Sequence, residues 1–239
     1  MFARGVAAEA LPPTPAVFGH QNLVPAKGWG MLGNDQCGNC TIAGPMHVEM
    51  LWNAVAGRRV RFTPLDAVDD YGSVSGYVPG NPLTDLGCDM VTVAKYWQAT
   101  GMRDCADTRH RIGASLSIDG SAAGAPNLSH VYLSAYLFGA AGIGITLPQS
   151  ADDQFTKGEP WTDVGSASTG EYHFVPVIAR GPLGLGFVTW GEFCWMSEGF
   201  FQTNCREALV YLTQEDLVAG KSPEGYDYSA LLADLPEAA

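Results

Sequence analysis

The chain has 239 residues, enough for one large domain or two lobes, and 46% of them are hydrophobic, which excludes a disordered protein. A formal charge of −12 with only 13 Lys and Arg residues argues against a nucleic-acid partner, because phosphate binding needs clustered basic side chains. No apolar run approaches the roughly 18 residues of a transmembrane helix, so no membrane partner is expected. The N-terminal residues lack a continuous apolar stretch, so we expect no signal peptide and a cytoplasmic protein on synthesis.

The first half of the chain predicts an extended arm followed by helices. Residues 1–32 are rich in proline and glycine and show little periodicity. From Ile42 to Ala54, apolar residues recur at helical spacing, and Cys40 stands where the preceding polar loop becomes that helix. Asn127 is a suitable N-cap for a later helix. We predict helices over residues 40–56, 90–100 and 128–139, and one helical turn over 67–71.

The second half of the chain changes to β-branched runs separated by glycine turns, which is typical of strands. Helices first and strands later predict an α+β fold of two lobes, with a helical N-terminal lobe and an antiparallel β lobe. The predicted domain spans 33–217, with the lobes meeting near 126–127, and a polar tail follows over 218–239. We predict strands over residues 140–146, 173–178, 185–190, 199–201 and 207–211.

Cys40 is the first candidate for chemistry. Unpaired N–H groups and the positive end of the helix dipole stabilise a thiolate at a helix N-terminus. A nucleophilic cysteine also needs a base within hydrogen-bond reach, and His173 is the best of five histidines because it opens a predicted strand that can face that helix end. The alternative is that Cys40 is only a small apolar residue at the start of a helix.

The pair Cys37-x-x-Cys40 has two further interpretations. Its spacing is that of a zinc knuckle, but no second close cysteine pair completes a metal site, so no metal is expected. A thioredoxin-like redox motif would need a preceding strand in a βαβ unit, which the arm does not supply. No cofactor is expected.

Several segments together resemble papain-like cysteine peptidases. Cys37-Gly38-Asn39-Cys40 is similar to the segment around the papain nucleophile, and His173 follows about 130 residues later, as in that family. The order of the remaining motifs also matches, over about residues 30–212. These are Gly87-Cys88-Asp89, Gly142-Ile143-Gly144-Ile145, His173-Phe174-Val175 and Phe187-Val188-Thr189-Trp190-Gly191.

The resemblance implies a role for each matching residue. Cys40 would be the nucleophile and His173 its base, held largely as a thiolate–imidazolium pair. Asn34 falls where the family has its oxyanion-hole glutamine, and Gln36 is the fallback donor. Trp190 would shield His173 from water.

The sequence also departs from the family pattern. Val188 stands where the family has the asparagine that orients the histidine, so Thr189, Glu171 or a backbone carbonyl would take that role. Asp89 and Met90 stand where the family has two glycines that bind the backbone of the substrate. Cys37 and Cys88 match two positions that form a disulfide in the family, which implies that they lie close together.

The resemblance therefore implies a hydrolase that cleaves a peptide or related amide bond, with a peptide or protein as its substrate. The alternative is a catalytically degenerate protein that keeps this fold inside an assembly with other subunits, such as a phage particle. Compact members of this kind look most like phage or prophage products, so a virion is a second expected location.

Overall fold

The computed structural model describes residues 12–118 and 124–213. The tail predicted over residues 218–239 and the beginning of the arm lie outside the described residues. Within them, the α-helices are α1 (Cys40–Val55), α2 (Pro64–Ser75), α3 (Met90–Ala99), α4 (Leu128–Phe138), α5 (Gln149–Thr156) and α6 (Glu198–Asn204). The strands are β1 (Phe18–Gly19), β2 (Met102–Arg103), β3 (Arg109–His110), β4 (Ile112–Ser117), β5 (Ala141–Pro148), β6 (Ser168–Gly181), β7 (Gly184–Thr189), β8 (Glu192–Met196) and β9 (Cys205–Thr213).

The predicted helices at α1, α3 and α4 are confirmed to within a residue or two, and the Asn127 side chain accepts hydrogen bonds from two N–H groups of α4. The single turn predicted over 67–71 is a complete helix, because Thr63 and Asp66 form a capping box ahead of it. The strand predicted over 199–201 is wrong. Ser197 caps the first turn of α6 there by accepting the Phe200 N–H.

A seven-stranded antiparallel sheet carries the second half of the chain, in the order β4-β9-β5-β6-β7-β8, with β1 added beside β6. Alternate residues of β6 serve opposite faces of this sheet, as the pleat requires. Phe174 and Ile178 join the core that α1 and α3 cover, whereas Val175 and Val177 join a second core on the other face. The α+β fold predicted from the sequence is confirmed; the boundaries of its lobes stay a prediction.

The described part of the N-terminal arm packs against the body of the protein. Phe18 and Gly19 pair with the end of β6. Trp29 is almost fully buried, and the His47 ring packs edge-on against it. The Gly30 carbonyl oxygen lies 3.0 Å from His47 Nε2 of α1. None of the helices in the described ranges has the length and apolar character needed to cross a membrane.

Candidate active site

An open cleft of about 750 Å³ lies between the start of α1 and the sheet. Cys40 and His173 both line it, although 133 positions separate them in the sequence. The wall also includes the loop before α1, the start of α3 and parts of β5 and β9. The two residues that the sequence predicted to react together are therefore brought to one cavity.

Cys40 is the first residue of α1 and is half-buried. Its Sγ accepts a hydrogen bond from the Phe174 backbone N–H at 3.4 Å, within the longer range allowed for sulfur. This contact fixes the sulfur against β6 at the residue directly after His173. The Asn39 side chain does not cap the helix but donates to the Leu32 carbonyl at 2.9 Å, which holds the preceding loop in place.

His173 is held on two sides. Its Nε2 lies 2.7 Å from Thr189 Oγ1, and its ring stacks on Trp190 with 5.0 Å between ring centroids. The histidine is 7% exposed. Of the partners that the sequence left open, Thr189 is the one whose side chain contacts His173; Val188 is buried in the core. With Nε2 engaged, Nδ1 is the nitrogen left to act on the thiol.

Trp190 adopts a positive φ of 47°, an unusual conformation for a bulky residue. It also contacts Phe155 and Trp161, with ring centroids 4.8 Å and 5.7 Å away. Gly191 packs directly on the backbone of Gly30. The arm and an aromatic cluster thus hold the tryptophan over His173, the position that the resemblance implied.

Burial opposes charge on both reactive groups. It raises the pKa of the Cys40 thiol, and the N–H groups of Phe174, Thr41 and Cys40 itself lower that pKa only in part. Burial also lowers the pKa of His173 to about 4. Both shifts favour the neutral thiol and neutral imidazole. These directions run against the thiolate–imidazolium pair that the resemblance implies, and that pair stays an expectation.

The two candidate oxyanion donors differ in position. Asn34 lines the cleft, and its Nδ2 donates only a long, 3.4 Å bond to the Cys37 carbonyl. Gln36 is exposed and does not line the cleft. Cys40, as the first residue of α1, has a backbone N–H without an intrahelical acceptor. Asn34 and that N–H are therefore the better-placed pair of donors.

Two aspartates support the cleft wall. Asp89, predicted from the resemblance, lines the cleft and caps α3 by accepting the Thr92 N–H at 2.7 Å. Sequence reasoning missed Asp85, which has no motif around it. Its two carboxylate oxygens each lie 3.0 Å from the Gly38 N, and one accepts the Tyr71 hydroxyl at 2.6 Å. Asp85 thereby fixes the loop that carries Cys40.

Cys37 and Cys88 both line the cleft but are free thiols, so the expected disulfide between them is not formed in the structure. Burial raises the pKa of each to about 11. Cys37 Sγ instead lies 3.6 Å from the Gly33 carbonyl oxygen, as a weak hydrogen bond. Across residues 12–118 and 124–213, no group of three or more His, Cys, Asp or Glu side chains is arranged to hold a metal ion.

Comparison by sequence finds no relative: no protein-family model matches the chain, and no curated protein matches it. Comparison by structure finds many. Procathepsin L 3 from the larval midgut of Tenebrio molitor superposes with a TM-score of 0.58 at 15% identity, covering 87% of this chain and 76% of that protein. Xylellain, a cysteine protease of Xylella fastidiosa, superposes with a TM-score of 0.55 at 14% identity. The match covers 86% of this chain and 87% of xylellain.

The Carica candamarcensis cysteine protease CMS1MS2, solved in complex with E-64, gives a TM-score of 0.55 at 13% identity and covers 83% of this chain and 99% of the protease. Sequence identities this low carry no information about substrates, but the agreement in fold extends over most of each chain. The protein therefore has the two-lobed fold of papain-like cysteine proteases.

Proposed function

We propose that the protein is a cysteine peptidase that cleaves a peptide or related amide bond, with Cys40 as nucleophile and His173 as general base. One observation carries this proposal. The Cys40 sulfur, at a helix N-terminus, is fixed against the strand segment that holds His173, inside a cleft open to substrate.

The geometry supports a complete set of steps. In the tautomer whose Nε2–H donates to Thr189 Oγ1, His173 Nδ1 is unprotonated and takes the thiol proton as Cys40 Sγ attacks the carbonyl carbon. The Cys40 N–H and Asn34 Nδ2 stabilise the resulting oxyanion. His173 then gives the proton to the leaving amine, and a thioester remains on Cys40. Water, activated by the same nitrogen, hydrolyses the thioester and restores the thiol.

The directions of the two pKa shifts favour one order of proton transfer. Because burial favours both uncharged forms, the proton moves as the sulfur attacks rather than before substrate arrives. A base with its pKa near 4 remains unprotonated, and therefore competent, in mildly acidic solution. The Phe174 N–H, directed at the sulfur, stabilises negative charge while it is present.

Access to the cleft supports an enzyme over the structural alternative. None of the described arm residues before Asn34 lines the cleft, so this part of the arm packs elsewhere and leaves the thiol reachable. The alternative, a degenerate member of a phage particle or other assembly, has no observation of its own in its favour.

The test is digestion of a mixed peptide library, with the new termini read by mass spectrometry. We expect the wild type and Cys105→Ala, which removes an exposed thiol outside the cleft, to cut the same bonds. Cys40→Ala and His173→Ala should cut none while keeping the circular dichroism spectrum of a folded protein. Cleavage by a folded Cys40→Ala variant, or no cleavage by the wild type, would overturn the proposal. An epoxide electrophile such as E-64, the ligand of the Carica enzyme, should modify the wild type at Cys40 alone.

A further inference from the structure

A second cavity lies at the opposite end of α1 from Cys40. It has a volume of about 470 Å³ and is bounded by the last turns of α1, residues 58–60, the β2–β3 hairpin and Arg111. Among the described residues, none lines both this cavity and the cleft. Its wall includes Trp52, about 18 Å from Cys40 along the helix axis. Binding in this cavity is therefore separate from the proposed reaction.

The cavity collects positive charge in an acidic protein. The chain carries 13 Lys and Arg residues against 25 Asp and Glu. Four arginines but only two carboxylates are among the described residues that line the cavity. The C-terminal end of a helix carries about half a negative charge, which can account for one nearby cation but not for four. The four are Arg58, Arg59, Arg109 and Arg111.

Both carboxylates of the cavity are used by other groups. Asp104 accepts two backbone N–H groups of its own loop and lies 2.9 Å from His110 Nε2. Glu49 is buried and accepts the indole N–H of Trp97 at 2.9 Å. Within residues 12–118 and 124–213, neither carboxylate forms an ion pair with an arginine of this cavity. They therefore leave most of its positive charge without a counterion.

The four arginines differ in what they bind. Arg109 is paired with the buried Asp70 at 2.7 Å. Arg111 uses its Nε, which donates to a backbone carbonyl at 3.2 Å. Arg58 and Arg59 are exposed, and their guanidinium groups have no hydrogen bond or ion pair to any residue in the described ranges. Three guanidinium groups thus keep donors for a ligand, and an anion between them would relieve the repulsion of their like charges.

The chemistry and size of the cavity define the ligand. A planar guanidinium binds a phosphate or a carboxylate through two parallel hydrogen bonds. A volume of about 470 Å³ is typical of a site for a small molecule. A single exposed ion pair contributes little binding free energy, so a ligand must engage two or more of the arginines to bind well.

We propose that this cavity binds a small polyanion, a molecule with two or more phosphate or carboxylate groups, through Arg58, Arg59 and Arg111. The site is additional to the proposed peptidase function and does not depend on it.

The test is isothermal titration calorimetry of the full chain with sodium pyrophosphate and, separately, with citrate, at constant ionic strength. We expect saturable binding of one molecule per chain, and the probe that binds more tightly distinguishes a phosphate ligand from a carboxylate ligand. Arg58→Gln, Arg59→Gln and Arg111→Gln should each weaken binding about 10-fold or more, because each removes charge-assisted hydrogen bonds. The affinity should also fall in 0.5 M salt.

The control Lys95→Gln removes an exposed positive charge on α3 outside this cavity and should bind as the wild type does. Equal affinity in the control and the arginine variants, or no saturable binding of either probe up to about 10 mM, overturns the proposal. Binding that appears only in the double variant Glu215→Gln with Asp216→Asn also overturns it. The arginines would then be paired with carboxylates that follow Thr213, a lining residue of the cavity, in the sequence.

The same titrations on Cys40→Ala keep the result independent of peptidase activity. A loss of affinity confined to the arginine variants supports the site even if no peptide is ever cleaved. Failure of the site, in turn, leaves the assignment of Cys40 and His173 unchanged, because the cavity and the cleft share none of the described residues.

Discussion

The close approach of α1 to β6 holds Cys40 against the strand that carries His173. The substitution Gly44→Ala tests this approach. Gly44 lies one turn after Cys40, and a Cβ added there would lie 2.2 Å from Phe174 Cε1 and 2.5 Å from its Cδ1. Carbon atoms in ordinary contact are about 3.5–4.0 Å apart. The ring cannot retreat freely, because a Cβ at Gly142 on its other side would lie 2.6 Å from Phe174 Cε2. The helix must therefore move away from the strand by about 1 Å.

The cost of that movement can be estimated. Overpacking a well-packed core costs about 1–3 kcal/mol. Alanine is the better helix former by about 1 kcal/mol, which offsets part of this. We expect the free energy of unfolding to fall by about 1–2 kcal/mol, and Tm by about 2–8 °C for a domain of this size. The hydrogen bond from the Phe174 N–H to Cys40 Sγ should lengthen. The kcat/KM of the folded variant should therefore fall as well, beyond any loss that unfolding explains.

The assay is thermal and urea unfolding alongside kcat/KM at a temperature where every variant is folded. Gly199→Ala is the matched control, because it is also a helical glycine but has no atom closer than 3.8 Å to an added Cβ. The control should be as active as the wild type and at least as stable, with a gain of up to about 1 kcal/mol from the helix propensity of alanine. If Gly44→Ala matches the wild type in both stability and activity, α1 does not approach β6 as described, and the argument for the position of Cys40 fails.

Three further predictions concern single side chains. Thr189→Val should lower kcat/KM about 10-fold by releasing His173, whereas Thr189→Ser should keep most of the wild-type kcat/KM. Equal kcat/KM values for the two variants would show that Thr189 does not position His173. Asn34→Ala should lower kcat about 10²-fold with little change in KM, and an unchanged kcat would leave the oxyanion to backbone groups alone. Burial lowers the pKa of His47 to about 4 from 6.5, so the folded state binds fewer protons than the unfolded state between those values, and stability is lost as pH falls through them. As the pH falls from 6.5 to 4, the wild type should lose about 3 kcal/mol more of its free energy of unfolding than His47→Gln does. Parallel curves of unfolding free energy against pH for the two proteins would mean that His47 is not buried as a neutral ring.

The sequence predicted the elements whose signals are local. The apolar spacing after Cys40 and the cap at Asn127 placed α1 and α4, because helix periodicity and capping depend on near neighbours. The strand predicted over 199–201 is wrong because two local signals conflict there. Two consecutive phenylalanines favour a strand by propensity, but Ser197 caps a helix there, and both rings are buried in the second core.

The parts of the site that depend on long-range packing were not predictable. The contact of Phe174 N–H with the Cys40 sulfur joins residues 134 positions apart, and Asp85 supports Gly38 from 47 positions away. No local pattern marks either. The burial of both reactive groups was not predictable either, because the resemblance supplied residue types but not the packing that raises the pKa of Cys40 and lowers that of His173.

The most direct test of the central claim is to trap the covalent intermediate. A peptide with an activated ester at its C-terminus is mixed with the wild type, quenched in acid within milliseconds and analysed by intact and peptide mass spectrometry. We predict a transient thioester on Cys40 that decays as product forms, absent from Cys40→Ala and greatly slowed in His173→Ala. Acylation at Cys88 or at no cysteine, during turnover of the same ester, would contradict the assignment of Cys40 as the nucleophile.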